Sequence, residues 1–179
     1  MKLQSILAVL IIAFGGSTSA CAESIKLTQN IQLNEVAAIY TNPQALERFM
    51  KTSMTYATDQ VLFQEADHWQ SPEEFLTRRS GDCEDFALFV EAVMQKQGRQ
   101  AYVLSLYGNS DYAHTVGVFY EKGGYNVFDE KGITYYKAKS FEQLATLIHP
   151  GWTNAALTER SGTRGHALQK FANPQTNAL

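Results

Sequence analysis

Cys83 is the residue of this sequence best suited to covalent chemistry. It lies in the segment Gly81-Asp82-Cys83-Glu84-Asp85, at the start of a strongly patterned predicted helix. A thiol attacks a carbonyl carbon as the thiolate, and the partial positive charge of a helix N-terminus favours that form. The free N–H groups at the same position can also stabilise the oxyanion of a tetrahedral intermediate. The position therefore predicts a nucleophilic cysteine.

The alternative for Cys83 is a buried thiol without a chemical role, because cysteine is often found in protein interiors. Its acidic neighbours Asp82, Glu84 and Asp85 make an unfavourable environment for a core residue and favour the chemical role. Glu84 and Asp85 are also charges that suit the first turn of a helix without binding any ligand. We interpret Cys83 as the reactive group. Whether the acids bind a ligand or only suit the start of the helix stays open.

A nucleophilic thiol needs a general base, and the base needs a third group that orients it. Of the four histidines, His114 opens a predicted strand directly after a loop, and Asp129 closes the next predicted strand. Taken alone, His114 could be a histidine without function at the edge of the loop. Asp129 could serve only to begin the following turn. The other histidines, at 68, 149 and 166, lack metal-ligand spacing and are interpreted as surface or packing residues.

The hairpin between these two strands decides whether His114 and Asp129 can meet. A two-residue turn at Gly123-Gly124 would separate them by roughly 13 Å along the strand. A turn centred on Glu121-Lys122 would place them directly opposite each other, with both side chains on one face. We predict the second register, or an equivalent with a β-bulge.

Capping signals and the spacing of apolar residues predict the helices. They run over Pro43–Met54, Pro72–Arg78, the stretch from Cys83 to Gly98, and Phe141–Ile148. The helix that begins at Cys83 has a broad apolar stripe, which is typical of a central helix packed against a sheet. Residues 23–38 are interpreted as an extended lead-in.

After Gly98 the apolar period changes from that of a helix to that of a strand. Runs of β-branched and aromatic residues predict strands over 101–107, 113–120, 125–129 and 133–136, arranged as an antiparallel meander. The polar remainder after residue 150 predicts one surface helix around Leu157. Together these elements predict an α+β fold.

The first 22 residues predict a secretory signal. Lys2 precedes an apolar run over Ile6–Phe14 that is too short to span a membrane, and small residues follow it. Cleavage after Ala22 would release a soluble protein, whereas cleavage before Cys21 would leave a cysteine for a lipid anchor, the only membrane attachment expected. Either route predicts a periplasmic or secreted protein, with one domain over residues 23–150 and a C-terminal extension over 151–179.

Composition limits the partners. The formal net charge of −3 argues against nucleic acid. With two cysteines in the whole chain, one of them at the predicted processing site, no disulfide is expected in the domain. An unpaired thiol in an oxidising compartment needs either burial or a function. The sequence predicts no oligomeric state.

Around Cys83 the sequence resembles the bacterial transglutaminase-like cysteine proteinases. The similarity covers roughly Asp67 to Gly132 and rests on Trp69-Gln70-Ser71-Pro72-Glu73-Glu74-Phe75, Gly81-Asp82-Cys83-Glu84-Asp85-Phe86-Ala87, Ala113-His114-Thr115-Val116 and Val127-Phe128-Asp129. This resemblance implies a papain-like or transglutaminase-like core. It also implies that Cys83 is the nucleophile, His114 the base and later the acid, and Asp129 the residue that orients the imidazole.

The same resemblance implies a role for calcium. The family includes a calcium-regulated periplasmic protease that releases a biofilm adhesin, and Asp82 and Glu84 match positions tied to calcium binding there. Calcium prefers carboxylate oxygens, but it needs roughly 6 to 8 oxygen ligands, so two acids do not complete a site. No cofactor is required for the expected chemistry, and Ca²⁺ is an additional expectation.

The expected function is that of an exported cysteine hydrolase, a protease or amidase. It would cleave a peptide or amide bond in a protein or peptide of the cell envelope through a thioester intermediate. Two alternatives stay open: a non-catalytic transglutaminase-like binding module of the envelope, and a transamidase that passes the acyl group to an amine.

Overall fold

The computed structural model describes residues 31–109 and 111–174. The predicted signal over residues 1–22, with Cys21, lies outside these residues, as does the first half of the predicted lead-in, residues 23–30. The helices in the described part are α1 (Leu33–Ile39), α2 (Pro43–Ser53), α3 (Asp59–Leu62), α4 (Pro72–Arg78), α5 (Cys83–Lys96) and α6 (Phe141–Ile148). The strands are β1 (Thr55–Tyr56), β2 (Ser80–Gly81), β3 (Ala101–Gly108), β4 (Ala113–Glu121), β5 (Gly124–Asp129), β6 (Gly132–Ala138), β7 (Trp152–Ser161) and β8 (Arg164–Ala172).

The capping residues fix where the helices begin. The Asn42 side chain accepts a hydrogen bond from the backbone of Ala45 at 2.9 Å, and α2 starts at the following proline as predicted. Ser71 and Glu74 form the predicted reciprocal capping box at the start of α4. The prediction of an extended lead-in up to residue 38 was wrong from Leu33 onward. There α1 forms because Leu33, Val36 and Ala37 bury one helical face against the core.

The large sheet has the strand order β6-β5-β4-β3-β7-β8, and every neighbouring pair is antiparallel. The predicted meander over β3 to β6 is confirmed. The predicted surface helix around Leu157 was wrong, because Leu157 lies in β7 and pairs with Leu104 of β3. β7 and β8 thus extend the same sheet beyond β3.

Two apolar cores lie on opposite faces of this sheet. On one face, α5 packs between the sheet and the N-terminal helices, with Phe89, Val90 and Val93 fully buried. On the other face, α6 covers a second core that contains Leu106, Val116 and Trp152. The predicted α+β fold, with a central cysteine-bearing helix on an antiparallel sheet, is confirmed.

The register of the β4–β5 hairpin differs from the predicted one. The turn is formed by Lys122 and Gly123, so that Glu121 pairs with Gly124 and Gly117 with Phe128. Both turn residues have positive φ, 55° and 80°, as the two central residues of a type I′ hairpin turn require. Continued along the strands, this register places Asp129 opposite residue 116, two residues from His114.

A short parallel pair, β1 and β2, lies at the N-terminal end of α5. Thr55 pairs with Ser80 and Tyr56 with Gly81, directly before the helix begins. None of the helices in the described ranges is long and apolar enough to cross a membrane.

Candidate active site

Cys83 is the first residue of α5 and a free, half-buried cysteine. Its thiol donates a hydrogen bond to Glu84 Oε2 at 3.1 Å and faces the backbone N–H of Thr115 on β4. Thr115 directly follows His114 in the chain, so the start of α5 meets β4 next to the predicted base. Within the described residues, the hydrogen-bond partner of the thiol is Glu84 and not His114.

The acids around Cys83 oppose the effect expected of the helix N-terminus. Burial raises the pKa of the Cys83 thiol well above its ordinary value, and the adjacent carboxylate of Glu84 acts in the same direction. The acids themselves are not the exposed charges that the sequence predicts. Glu84 and Asp85 are 6% and 0% exposed. Because the pKa of the thiol is raised, the thiol is protonated and donates its hydrogen bond to Glu84.

His114 and Asp129 come together at the end of the hairpin. His114 Nε2 lies 3.8 Å from Asp129 Oδ2, and both side chains are more than four-fifths buried. The other oxygen of Asp129 accepts a hydrogen bond from the Lys131 backbone at 2.9 Å. Burial alone would raise the pKa of Asp129, but His114 and the Lys131 N–H hold it below its usual value.

Glu130 is a second carboxylate at His114 that sequence reasoning did not select. One oxygen of Glu130, one of Asp129 and one ring nitrogen of His114 all lie within 4.8 Å of one another. Glu130 Oε2 is buried without a hydrogen-bond partner. Tyr112 lies near the same groups. Burial raises its pKa, and Cys83 and Glu130 raise it further, so its hydroxyl stays protonated.

Asp85 anchors the loop that precedes α4 instead of facing a ligand. Its carboxylate accepts hydrogen bonds from the Gln70 backbone at 2.8 Å and from the Gln70 side chain at 2.5 Å. The Asp82 backbone N–H donates to it at 3.3 Å. Burial raises the pKa of Asp85 to about 6 although these donors lower it. Gln70 also donates to Ser80 O at 3.0 Å and so joins this loop to β2.

A cluster of acids lies beside the thiol, and we call it the acid cluster: Asp59, Asp67, Asp82 and Glu84. Asp59 and Glu84 are buried, whereas Asp82 and Asp67 are partly exposed. Carboxylate oxygens of Asp59, Asp67 and Glu84 lie within 4.8 Å of one another, and Asp59 and Asp82 belong to a second such group with Asp85. Asp59 Oδ1 and Asp82 Oδ1 are buried without hydrogen-bond partners. Burial and the neighbouring Glu84 raise the pKa of Asp82 to about 8, and burial raises the pKa of Asp59.

Unpartnered carboxylate oxygens held close together fit a hard cation that takes oxygen ligands, such as Ca²⁺. The structure thus brings together the two predicted residues, Asp82 and Glu84, and adds Asp59. Asp67 lies beside them, but both of its oxygens already accept hydrogen bonds. No spacing in the sequence connects Asp59 with Asp82. They meet because Tyr56 pairs with Gly81, which sets the start of α3 beside the start of α5.

Comparison with known families agrees with this fold. The family described as the transglutaminase-like domain matches residues 24–151, more than half of the chain. The chain therefore belongs to the transglutaminase-like domain family, and the resemblance stated from its sequence is confirmed at that level. No curated protein matches the sequence.

Among solved structures, the chain is similar to LapG of Legionella pneumophila. For the EGTA-treated LapG structure the identity is 21% and the TM-score 0.45, and the alignment covers 86% of this chain and 72% of that chain. A second LapG structure shares 19% identity over 86% of this chain and 75% of that one, with a TM-score of 0.43. For calcium-bound LapG the identity is 20%, the TM-score 0.41, and the coverage 80% of this chain and 75% of that one.

Proposed function

We propose that this protein is an exported cysteine hydrolase that cleaves a peptide or amide bond with Cys83, His114 and Asp129. One observation carries the proposal: the thiol and the His114–Asp129 pair lie at neighbouring residues of β4. The thiol faces the Thr115 N–H, and the preceding residue, His114, lies 3.8 Å from Asp129. A nucleophile, a base and an orienting carboxylate are the groups that acyl transfer through a thioester requires.

In the proposed reaction, His114 takes the thiol proton and the Cys83 sulfur attacks the carbonyl carbon of the scissile bond. The N–H groups at the start of α5 stabilise the oxyanion. The C–N bond then breaks, and His114 gives the proton to the leaving amine. A water molecule loses a proton to His114, attacks the thioester and releases a carboxylate, while the sulfur regains its proton.

We further propose that the acid cluster holds Ca²⁺. The orphaned oxygens of Asp59 and Asp82 support this, and so does the carboxylate donor set. A bound cation would supply positive charge that offsets the carboxylates beside the thiol. Glu84, which accepts a hydrogen bond from the thiol at 3.1 Å, is the residue that connects the cluster with Cys83.

The predicted secretory signal supports a periplasmic or secreted location and a cell-envelope protein as the substrate. A lipid anchor on Cys21 and the division into residues 23–150 and 151–179 stay predictions from the sequence.

The test compares the purified protein with its Cys83→Ala variant. Both are incubated, with and without calcium, with cell-envelope proteins, and new N-termini are labelled and identified by mass spectrometry. We expect new termini only with the unsubstituted protein. Incorporation of a fluorescent primary amine without new termini would identify a transamidase. Identical results for the two proteins would overturn the proposal and favour the binding module.

A further inference from the structure

A cavity of about 430 Å³ opens on the face of the sheet that carries α5, between Trp69 and the β7–β8 hairpin. Small side chains form its floor, which consists of Ala155, Ala156 and Ala167, while the Trp69 ring lies directly over Gly165. Trp69 and Tyr107 form aromatic walls, and Lys170 reaches it from β8. A floor without large side chains leaves room for the extended main chain of a peptide together with one side chain.

The hairpin and the loop that carries Trp69 hold this cavity in shape. The Trp69 N–H donates to Thr163 O at 3.1 Å, and Arg160 Nε donates to Trp69 O at 2.7 Å. Trp69 itself is 6% exposed and packs on Ala87 and Leu88 of α5. The wall is therefore preorganised and does not have to form when a ligand binds.

The charge of the cavity is uneven. Asp67 is already paired, because Arg164 Nη1 lies 2.9 Å from one oxygen and the Trp69 indole donates to the other at 2.9 Å. Lys170 makes no ion pair within the described part of the chain. The one uncompensated charge that lines the cavity is thus an ammonium group, whose natural partner is a carboxylate.

The cavity is connected with the start of α5 through a row of buried hydroxyl groups. Thr115, whose N–H faces the Cys83 thiol, lies 3.0 Å from Ser105 on β3. Thr158 on β7 donates to Ser105 at 3.1 Å and lines the cavity. From β4 there are two strand spacings of about 4.8 Å to β7 and three to Lys170 on β8, or roughly 10 to 14 Å, which an extended peptide covers with about three to four residues.

We infer that this cavity is a substrate subsite for an aspartate or glutamate side chain, about three to four residues from the scissile bond of an extended peptide. The inference rests on the proposed function for the meaning of the scissile bond. The occupant follows from the small floor, the aromatic walls, the unpaired Lys170 and the distance to Cys83. Lys170 acts here in specificity and takes no part in bond cleavage.

The first experiment measures binding and needs no activity. The Cys83→Ala protein, labelled with ¹⁵N, is titrated with acetyl-Ala-Ala-Asp-Ala-Ala-Ala-amide and with the matched peptide that carries Lys in place of Asp. We expect shifts at the Trp69 indole and the Lys170 amide, with the Asp peptide bound roughly two- to fivefold more tightly. Lys170→Glu should reverse this preference, whereas Lys96→Glu, at the far end of α5, should leave it unchanged.

Equal affinity for the two peptides, no binding of either, or shifts away from Trp69 would overturn the inference. The second experiment identifies the residues around cleaved bonds in a peptide library for the unsubstituted protein and for Lys170→Glu. Cleavage by the unsubstituted protein without a preference for acidic residues would also overturn the inference. A preference for acidic residues that Lys170→Glu leaves unchanged would do the same. Selective binding by a protein that cleaves nothing would instead refute the proposed hydrolase and leave the carboxylate site in place.

Discussion

His114 Nε2 lies 3.8 Å from Asp129 Oδ2 although the two residues do not face each other across the β4–β5 hairpin. The Lys122–Gly123 turn makes them diagonal neighbours, and a diagonal pair on one face is still within reach of long side chains. The turns at Glu121-Lys122 and at Gly123-Gly124 would each shift the strand pairing by two residues from the observed one, so either turn keeps both side chains on the same face of the sheet. The sequence therefore predicts that His114 and Asp129 share a face, whereas the distance between them depends on the turn.

Asp129→Asn should lower kcat/KM roughly 10²- to 10⁴-fold, because the amide no longer stabilises the imidazolium that forms during the reaction. Cleavage of a substrate found by the labelling of new N-termini provides the rate. Glu130→Gln is the matched control, since it changes the neighbouring carboxylate that also lies near His114. An equal loss in both variants would mean that Asp129 has no separate orienting role.

Cys83 should be a slow thiol in the calcium-free protein. Burial and Glu84 raise its pKa, so alkylation by iodoacetamide at pH 8 should be at least about tenfold slower than that of a free cysteine. Glu84→Gln removes the adjacent negative charge and should lower the thiol pKa and speed alkylation. Rates come from intact-protein mass spectrometry, with Glu73→Gln on α4 as the control. Slower alkylation of Glu84→Gln would contradict this account of the thiol.

Calcium should stabilise the protein through the acid cluster. At a free concentration 100 times Kd, a ligand that binds only the folded state adds about 2.7 kcal/mol, which appears as a higher Tm. Asp59→Asn should abolish this rise but should not lower the calcium-free Tm, because it removes a buried carboxyl with an unpartnered oxygen. Glu142→Gln at the start of α6 is the control. An unchanged Tm of the unsubstituted protein in millimolar calcium would exclude the site.

Asp85→Ala should lower the free energy of unfolding by about 2–4 kcal/mol, because it leaves the buried donors of Gln70 without an acceptor. Gly81→Ala should also destabilise the fold, since a Cβ there would lie 2.7 Å from Asp85 Cβ. Urea unfolding measures both variants. Glu73→Ala, an exposed acid on α4, should stay within about 0.5 kcal/mol of the unsubstituted protein. A similar value for Asp85→Ala would refute its anchoring role.

Glu91 should make stability depend on pH. Burial, and secondarily Glu159, raise its pKa from 4.5 to about 7, so the folded protein keeps a proton that the unfolded chain has released. The stability therefore falls as the pH rises from about 4.5 through 7. Glu91→Gln should remove this loss and be more stable than the unsubstituted protein at pH 8, by about 1–2 kcal/mol after solvent screening.

Urea unfolding of both proteins at pH 5 and pH 8 tests this expectation. A difference between the two proteins that does not change with pH would show that Glu91 does not titrate in this range.

Local signals predicted the elements whose boundaries depend on neighbouring residues. Asn42, and Ser71 with Glu74, satisfy N–H groups one turn away, so the starts of α2 and α4 could be predicted without knowledge of the fold. The apolar stripe of α5 and the alternation in β3 to β6 likewise follow from burial on one or both sides. The capping of α6 by Ser140 belongs to the same class.

The hairpin turn could not be predicted in this way, because Gly123 and Gly124 look equally suited to it. Gly124 is needed in β5 for a different reason: a Cβ there would lie 2.6 Å from Lys137 Cα on β6. Lys122 takes its place in the turn with a φ of 55°. Only the packing of β6 against β5 shows that Gly123 serves the turn and Gly124 the strand.

The sequence by itself determined the family, the nucleophile candidate and the order of Cys83, His114 and Asp129, since these depend on residue type and local pattern. The tertiary structure decided what surrounds the thiol. The pairing of β1 with β2 brings Asp59 to Asp82, and the packing of the loop before α4 buries Glu84 and Asp85. Both depend on contacts between residues far apart in the chain, and burial in turn sets the charge state of the thiol.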